Sequence, residues 1–247
     1  MTLPDEVDVS GLGAGPHADE PHEGGLNNRL NWLRAGVLGA NDGIVSTAGI
    51  VMGVAGATSD LGTILVAGVA GLAAGALSMA AGEYVSVSTQ KDSELALLET
   101  ERRELAEDPE DELAELAGLY VGKGLSEELA LEVAKQLTEH DALGAHAEAE
   151  LGIDPDDITS PWIAAWASMI SFTVGALLPL LTITLCSADT RIWVTVASVT
   201  LALALTGWGS ARFGFGPPGR AVVRNVLGGL FAMAITYGIG TLLGTHV

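Results

Sequence analysis

Leu61–Gly82, LGTILVAGVAGLAAGALSMAAG, runs for 22 residues without a charge, a proline or an asparagine. As a helix it reaches about 33 Å, enough to cross the roughly 30 Å hydrocarbon core of a bilayer. A helix in a soluble protein seldom continues that long without a polar face. The run therefore predicts a membrane span. Nothing between Tyr84 and Leu105 breaks a helix, so the same helix is expected to continue out of the membrane into the polar segment that follows.

Four more runs have the same character. Ala35–Ala57 contains only Asp42 as a charge, Ile163–Cys186 and Ile192–Ala211 contain none, and Ala221–Thr245 contains only Arg224 near its start. Together they predict an all-α membrane protein with five transmembrane helices and a small helical domain inserted between the second and third. The expected divisions are an acidic disordered tail over 1–26, spans 1 and 2 over 27–91, the carboxylate-rich domain over 92–160 and spans 3 to 5 over 161–247. The polar residues ahead of the first span, and its length, argue against a cleaved signal peptide. The lone Cys186 forms no intrachain disulfide and no CxxC site, and reads as a packing residue.

The composition suits this division. The chain of 247 residues has 49% hydrophobic residues and a net charge of −20, from 31 acids and 11 bases, with a mean hydropathy of +0.40. All the bases except Arg191 fall before span 1, between spans 2 and 3, or around the connection of spans 4 and 5. The excess of Lys and Arg marks that side as cytoplasmic, which places the N-terminus and the inserted domain inside. The absence of a targeting signal and the Ala/Gly/Asp-rich composition suggest a bacterial plasma membrane.

Most of the acids lie between Asp92 and Asp157. Leu95, Leu98, Leu105, Leu113, Leu116 and Leu119 recur there at helical spacing. Pro109 starts a helix, Gly122 and Gly124 end it, Ser126 caps the next, and a break near Gly144 precedes a short helix through Glu150. Glu101 and Glu104 are i, i+3, as are Glu112 and Glu115, so each pair shares a helix face. Two such helices side by side would bring four carboxylates together. Their repulsion raises their pKa values and is relieved by a divalent cation, as in carboxylate sites on facing helices. His146 and Glu150, at i, i+4, would add an imidazole and a fifth carboxylate. The competing reading is a solvated acidic surface, with Arg102 and Arg103 as partners of the acids.

Only Asp42 and Glu83 place carboxylates inside spans. An unpaired carboxylate at the bilayer centre costs on the order of 2.5–3.5 kcal/mol on insertion scales, so such a residue is a functional candidate. Gly71, Gly75, Met79 and Glu83 form one i, i+4 stripe on span 2; Gly39 with Gly43, and Gly49 with Gly53, repeat the spacing on span 1. Small residues allow close helix contact. A glycine-lined interface of spans 1 and 2, with Asp42, Met79 and Glu83 facing inward, would form a polar path. Oxygen ligands with one thioether suit Fe(II) or Mn(II) better than Mg(II).

LRAGVLGANDGIVST (33–47), GALSMAAGEYVSVSTQKD (75–92) and DALGAHAEAELGIDPDD (141–157) with SPW (160–162) resemble the vacuolar iron transporter family over about residues 27–247. The resemblance implies a homodimer of five-helix protomers, a cytoplasmic metal-binding domain, and proton-coupled export of Fe(II) or Mn(II) from the cytosol. Asp42 and Met79 fall where that family's translocation ligands fall. Glu101, Glu104, Glu112, Glu115 and Glu150 match its cytoplasmic metal-binding glutamates. Two departures stand out: His146 lies near a position where plant-type members carry methionines, and the usual EELG reads EAELG, with Ala149 in place of a glutamate and Glu148 on another helix face. The expected partners are divalent metal ions, protons, the lipid bilayer and a second copy of the chain, with no nucleic acid and no prosthetic group. No nucleophile–base pair, P-loop or zinc motif supports an enzyme, which leaves oxidation of Fe(II) on the carboxylate cluster as the enzymatic alternative. A membrane-anchored metal buffer or sensor is the other.

Overall fold

The computed structural model describes residues 26–214 and 216–244. The acidic tail predicted over 1–26 lies outside them but for its last residue. Seven α-helices, and no strands, are present among the described residues: α1 (Leu26–Ala57), α2 (Leu61–Glu107), α3 (Pro109–Gly122), α4 (Glu127–His146), α5 (Pro161–Leu185), α6 (Arg191–Phe213) and α7 (Pro218–Gly244), with a π-helical turn at Ala147–Leu151.

The helix boundaries follow local chemistry. Asp60 caps α2, its Oδ2 accepting from the Thr63 backbone N–H at 2.7 Å. Pro109 and Pro161 occupy first-turn positions of α3 and α5, where the missing N–H removes no helical bond. Glu110, Asp111 and Glu112 fill the first turn of α3, the end at which a helix dipole favours negative charge. Ser126 caps α4 by accepting from Leu129 N–H. Gly124, at φ 104°, makes the left-handed turn between α3 and α4.

Five helices are long and apolar enough to cross a membrane: α1 from Gly36, α2, α5, α6 and α7. α1 is the central member, packed against α5, α7, α2 and α6. Ile44, Ala48, Val51 and Met52 of α1 form the bundle core with Ile64, Leu180, Ile183, Val199, Leu203 and Met233. Large apolar side chains also cover the outside: Val66, Val174, Leu201, Leu227 and Phe231 are each more than half exposed. A water-facing surface rarely presents that much hydrocarbon, whereas lipid accepts it.

The glycines of α1 serve contacts other than the one expected. A methyl group at Gly43 would overlap the Phe172 carbonyl of α5, and one at Gly39 would lie 3.0 Å from the Ser168 carbonyl. Gly49 and Gly53 face Thr236 of α7, and Gly240 of α7 meets the Gly53 carbonyl. On α2, Gly71 faces Ile50 of α1 and Gly75 faces the Phe172 ring of α5. The α1 glycines thus bring α5 and α7 close, and do not line a face shared with α2. Two periodic glycine pairs on one helix can serve two neighbours, and the spacing alone names neither.

α2 has 47 residues, a length of roughly 70 Å. It passes through the predicted boundary at 91/92 as one helix and carries its last turns into the lobe formed by α3, α4 and the π turn. The rings of Tyr84 (α2) and Trp162 (α5) pack at a tilt of 53° with centroids 4.7 Å apart, joining the two helices where α2 leaves the bundle. The lobe has a small core of its own: Leu116, Ala117 and Ala134, with Leu113, Leu119, Tyr120, Ala145 and Ala149 against them. None of these belongs to α2. Beyond the bundle, α2 buries only Leu98 and Glu101.

Candidate metal centre

Glu101 comes from α2, Glu112 from the first turn of α3, and His146 from the end of α4. They are 4%, 8% and 0% exposed. One ligand atom from each lies within 4.8 Å of the others. His146 Nδ1 is 2.9 Å from Glu101 Oε1 and 3.6 Å from Glu112 Oε2. Despite that proximity, Glu101 Oε1 and both ring nitrogens of His146 have no hydrogen-bond partner among the described residues. Buried polar atoms without partners are rare and costly. Two ligand atoms each about 2.1 Å from one ion, at right angles around it, are about 3 Å apart, so the His146–Glu101 separation is that of adjacent ligands on a shared metal.

The electrostatics agree. Burial, then the charges of Glu150, Glu112, Glu104 and Glu115, push Glu101 from 4.5 up to about 7. Burial, then Glu115, Glu104, Glu150 and Asp108, raise Glu112. Glu150 is raised by burial, then by Glu115 and Glu104. Burial lowers the pKa of His146, partly opposed by Glu115. A neutral imidazole keeps a lone pair for a metal, and an excess of carboxylates favours a divalent cation. All six side chains expected from the sequence thus act on one place. Glu101, Glu112 and His146 form its buried centre; Glu104, Glu115 and Glu150 are an exposed surround.

Several details were not legible beforehand. The break in α4 falls at Asp141 (φ −158°, ψ 95°), three residues ahead of the Gly144 expected to mark it. Asp141 Oδ1 accepts from Gly144 N–H at 3.0 Å, so it acts as an N-cap inside the helix and starts a new direction that carries His146 to the cluster. An Asp three residues before a glycine within a helical pattern was the available signal. Glu150 sits in a π turn, a feature frequent at functional sites. Gly152, at φ 65°, ends it. Ala149 packs on the lobe core, and Glu148, exposed like Glu104, Glu115 and Glu150, is not among the charges that raise Glu101, Glu112 or Glu150. Arg102 pairs with Glu99 at 2.8 Å, leaving the cluster's acids to one another.

The membrane residues are placed more loosely. Asp42, Met79 and Glu83 are all half-buried. Met79 packs against Ala76, Phe172 and Ala176. The Asp42 carbonyl accepts from Ser46 Oγ at 2.6 Å, and the neighbouring Asn41 Oδ1 is buried without a partner among the described residues. No ion pair to Asp42 or Glu83 is present among the described residues. Arg191, the one base on the far side, is buried at the start of α6, with Nη1 3.5 Å from the Ser59 carbonyl in the α1–α2 turn.

The VIT family model matches residues 33–241, a range that takes in the whole cluster and all of the five apolar helices but the last turn of α7. The chain belongs to the VIT family. It is 44% identical over 239 residues to a protein named vacuolar iron transporter from Acanthamoeba castellanii, covering 95% of this chain and 87% of that one. It is 37% identical over 221 residues to vacuolar iron transporter homolog 4 of Arabidopsis thaliana (89% and 88%), and 37% over 248 residues to vacuolar iron transporter homolog 1 of Oryza sativa subsp. japonica (97% and 87%). As a VIT-family chain with five helices of spanning length, it is a multi-pass membrane protein.

Proposed function

We propose that this VIT-family protein exports Fe(II) or Mn(II) from the cytosol in exchange for protons, as a homodimer. The observation that carries the reading is the buried Glu101–Glu112–His146 cluster with orphaned ligand atoms, in a lobe built on the same helix that carries Met79 and Glu83. Relatives named vacuolar iron transporter make iron the leading cargo. The distribution of bases supports a cytosolic lobe, and the composition favours the plasma membrane of a bacterium. The exposed glutamates gather cations, and the buried cluster selects and holds one. The ion then moves along α2, over roughly 33 Å from Glu101 to Met79, to a path formed by Asp42, Met79 and Glu83 of the two protomers. Protonation of Asp42 from the far side releases it, because metal and proton compete for the same oxygens.

The test is transport into proteoliposomes across an imposed pH difference, with Fe(II), Mn(II), Co(II) and Zn(II) compared. Asp42→Asn should abolish proton-coupled movement while the lobe still binds metal; undiminished coupled transport by this variant would refute the role given to Asp42. The distance between cluster and bundle also suits a membrane-anchored metal buffer. Metal binding without transport by the wild-type protein would establish that second reading.

A further inference from the structure

We infer that His146, ligating through Nδ1, decides which divalent ion the lobe takes, favouring Fe(II) and Co(II) over Mn(II) and rejecting Mg(II) and Ca(II). The inference rests on the reading of the cluster as the metal-loading site and narrows its cargo. Glu101, Glu104, Glu112, Glu115 and Glu150 all offer oxygen. By themselves they would form a hard site, open to Mg(II), Ca(II) and Mn(II) alike. The one nitrogen donor placed with them, among the described residues, is His146; His140 is exposed on α4, and Cys186 lies at the end of α5.

The position of the ring makes that nitrogen hard to avoid. His146 is 0% exposed, and Nδ1, not Nε2, faces both Glu101 and Glu112. An ion held between the two carboxylates must therefore meet Nδ1. Apart from these two carboxylates, nothing competes for it, since neither ring nitrogen has a hydrogen-bond partner among the described residues. The ring is not free to swing out: Ala145 and Ala149, on either side in sequence, pack on the lobe core and Ala147 is fully buried. Divalent affinity at sites with nitrogen donors rises from Mn(II) through Fe(II) to Co(II), and imidazole suits none of the alkaline-earth ions. A single fixed imidazole among carboxylates turns an indiscriminate acidic site into a graded one.

The experiment uses the full chain in detergent. Co(II), Mn(II) and Ca(II) affinities are measured by competition for wild type, His146→Gln and Glu101→Gln, and pulsed EPR is recorded with one equivalent of Mn(II). His146→Gln should lose about tenfold in Co(II) affinity and no more than about threefold in Mn(II) affinity, with Ca(II) binding unchanged or improved. Wild type should show nitrogen modulation on bound Mn(II) that the variant lacks. An unchanged Co(II)/Mn(II) ratio, or no nitrogen modulation in the wild type, overturns the inference, and the spectrum decides the matter even if the variant fails to fold. Glu101→Gln separates the two levels. If it abolishes binding while the ratio is unmoved by His146→Gln, only the selectivity assignment falls. If it binds every ion as wild type does, the site itself is wrong.

Discussion

Removing the charge of Glu101 should stabilise the metal-free lobe. Glu101 is 4% exposed, and its carboxyl is raised from 4.5 to about 7, first by burial and then by the surrounding glutamates. A folded-state pKa above the unfolded one means that the group's contribution is fully present below pH 4.5 and is lost as pH rises through 7. A difference of 2.5 units corresponds to about 3 kcal/mol, or roughly 300-fold in a local opening equilibrium. At pH 8 and without metal, Glu101→Gln should therefore increase the hydrogen-exchange protection of α3 and α4 amides by up to about two orders of magnitude over wild type. At pH 4.5 the two proteins should agree closely. α2 buries only Leu98 and Glu101 outside the bundle, so the effect should concentrate in the lobe and spare the bundle helices. Added Co(II) should invert the order at pH 8, since it protects the wild type and does nothing for the variant. The reasoning fails if the metal-free wild-type lobe is as well protected at pH 8 as at pH 5, or if the variant gains nothing at pH 8.

Three other predictions follow from the same geometry. Because Glu101, Glu112 and Glu150 all have raised pKa values, metal binding below about pH 7 must displace protons; affinity should climb between pH 5.5 and 7.5, and calorimetry in buffers of different ionisation enthalpy should show proton release, whereas a flat profile would contradict the site. Asp141→Ala removes the internal cap to Gly144; a loss of about 1 kcal/mol in lobe stability is expected, with weaker Co(II) binding as His146 loses its placement, and unaltered affinity would show that the kink does not aim the ring. Gly43→Ala would press a methyl against the α5 backbone at Phe172 and should cost about 1–3 kcal/mol in detergent melting experiments, while Gly228→Ala, with nothing within 4 Å, should be neutral or mildly stabilising.

The spans were legible because each is a long run in which charge is forbidden, a property of the residues themselves. The unbroken course of α2, the Ser126 cap and the start at Pro109 were legible for a similar reason: each depends on neighbours within one turn. The carboxylate spacing named residues that the fold gathers in one place. It could not rank them, because i, i+3 periodicity puts Glu101 and Glu104 on one face without saying which of the two the lobe covers. The glycine pairs of α1 show the same limit: their spacing predicted close approach, and the neighbours turned out to be α5 and α7.

What the chain order alone determined is therefore the set of helices, the five apolar lengths and the candidate ligands, all consequences of hydrocarbon solubility and helical period. The tertiary structure decided which carboxylates lose water, where α4 turns, and which nitrogen of His146 meets them. Those depend on contacts between α2, α3 and α4, residues up to 45 positions apart in sequence, counted from Glu101 to His146. Burial that creates a raised carboxyl and an unpartnered imidazole is a property of packed surfaces, and no stretch of the chain contains it until those surfaces have met.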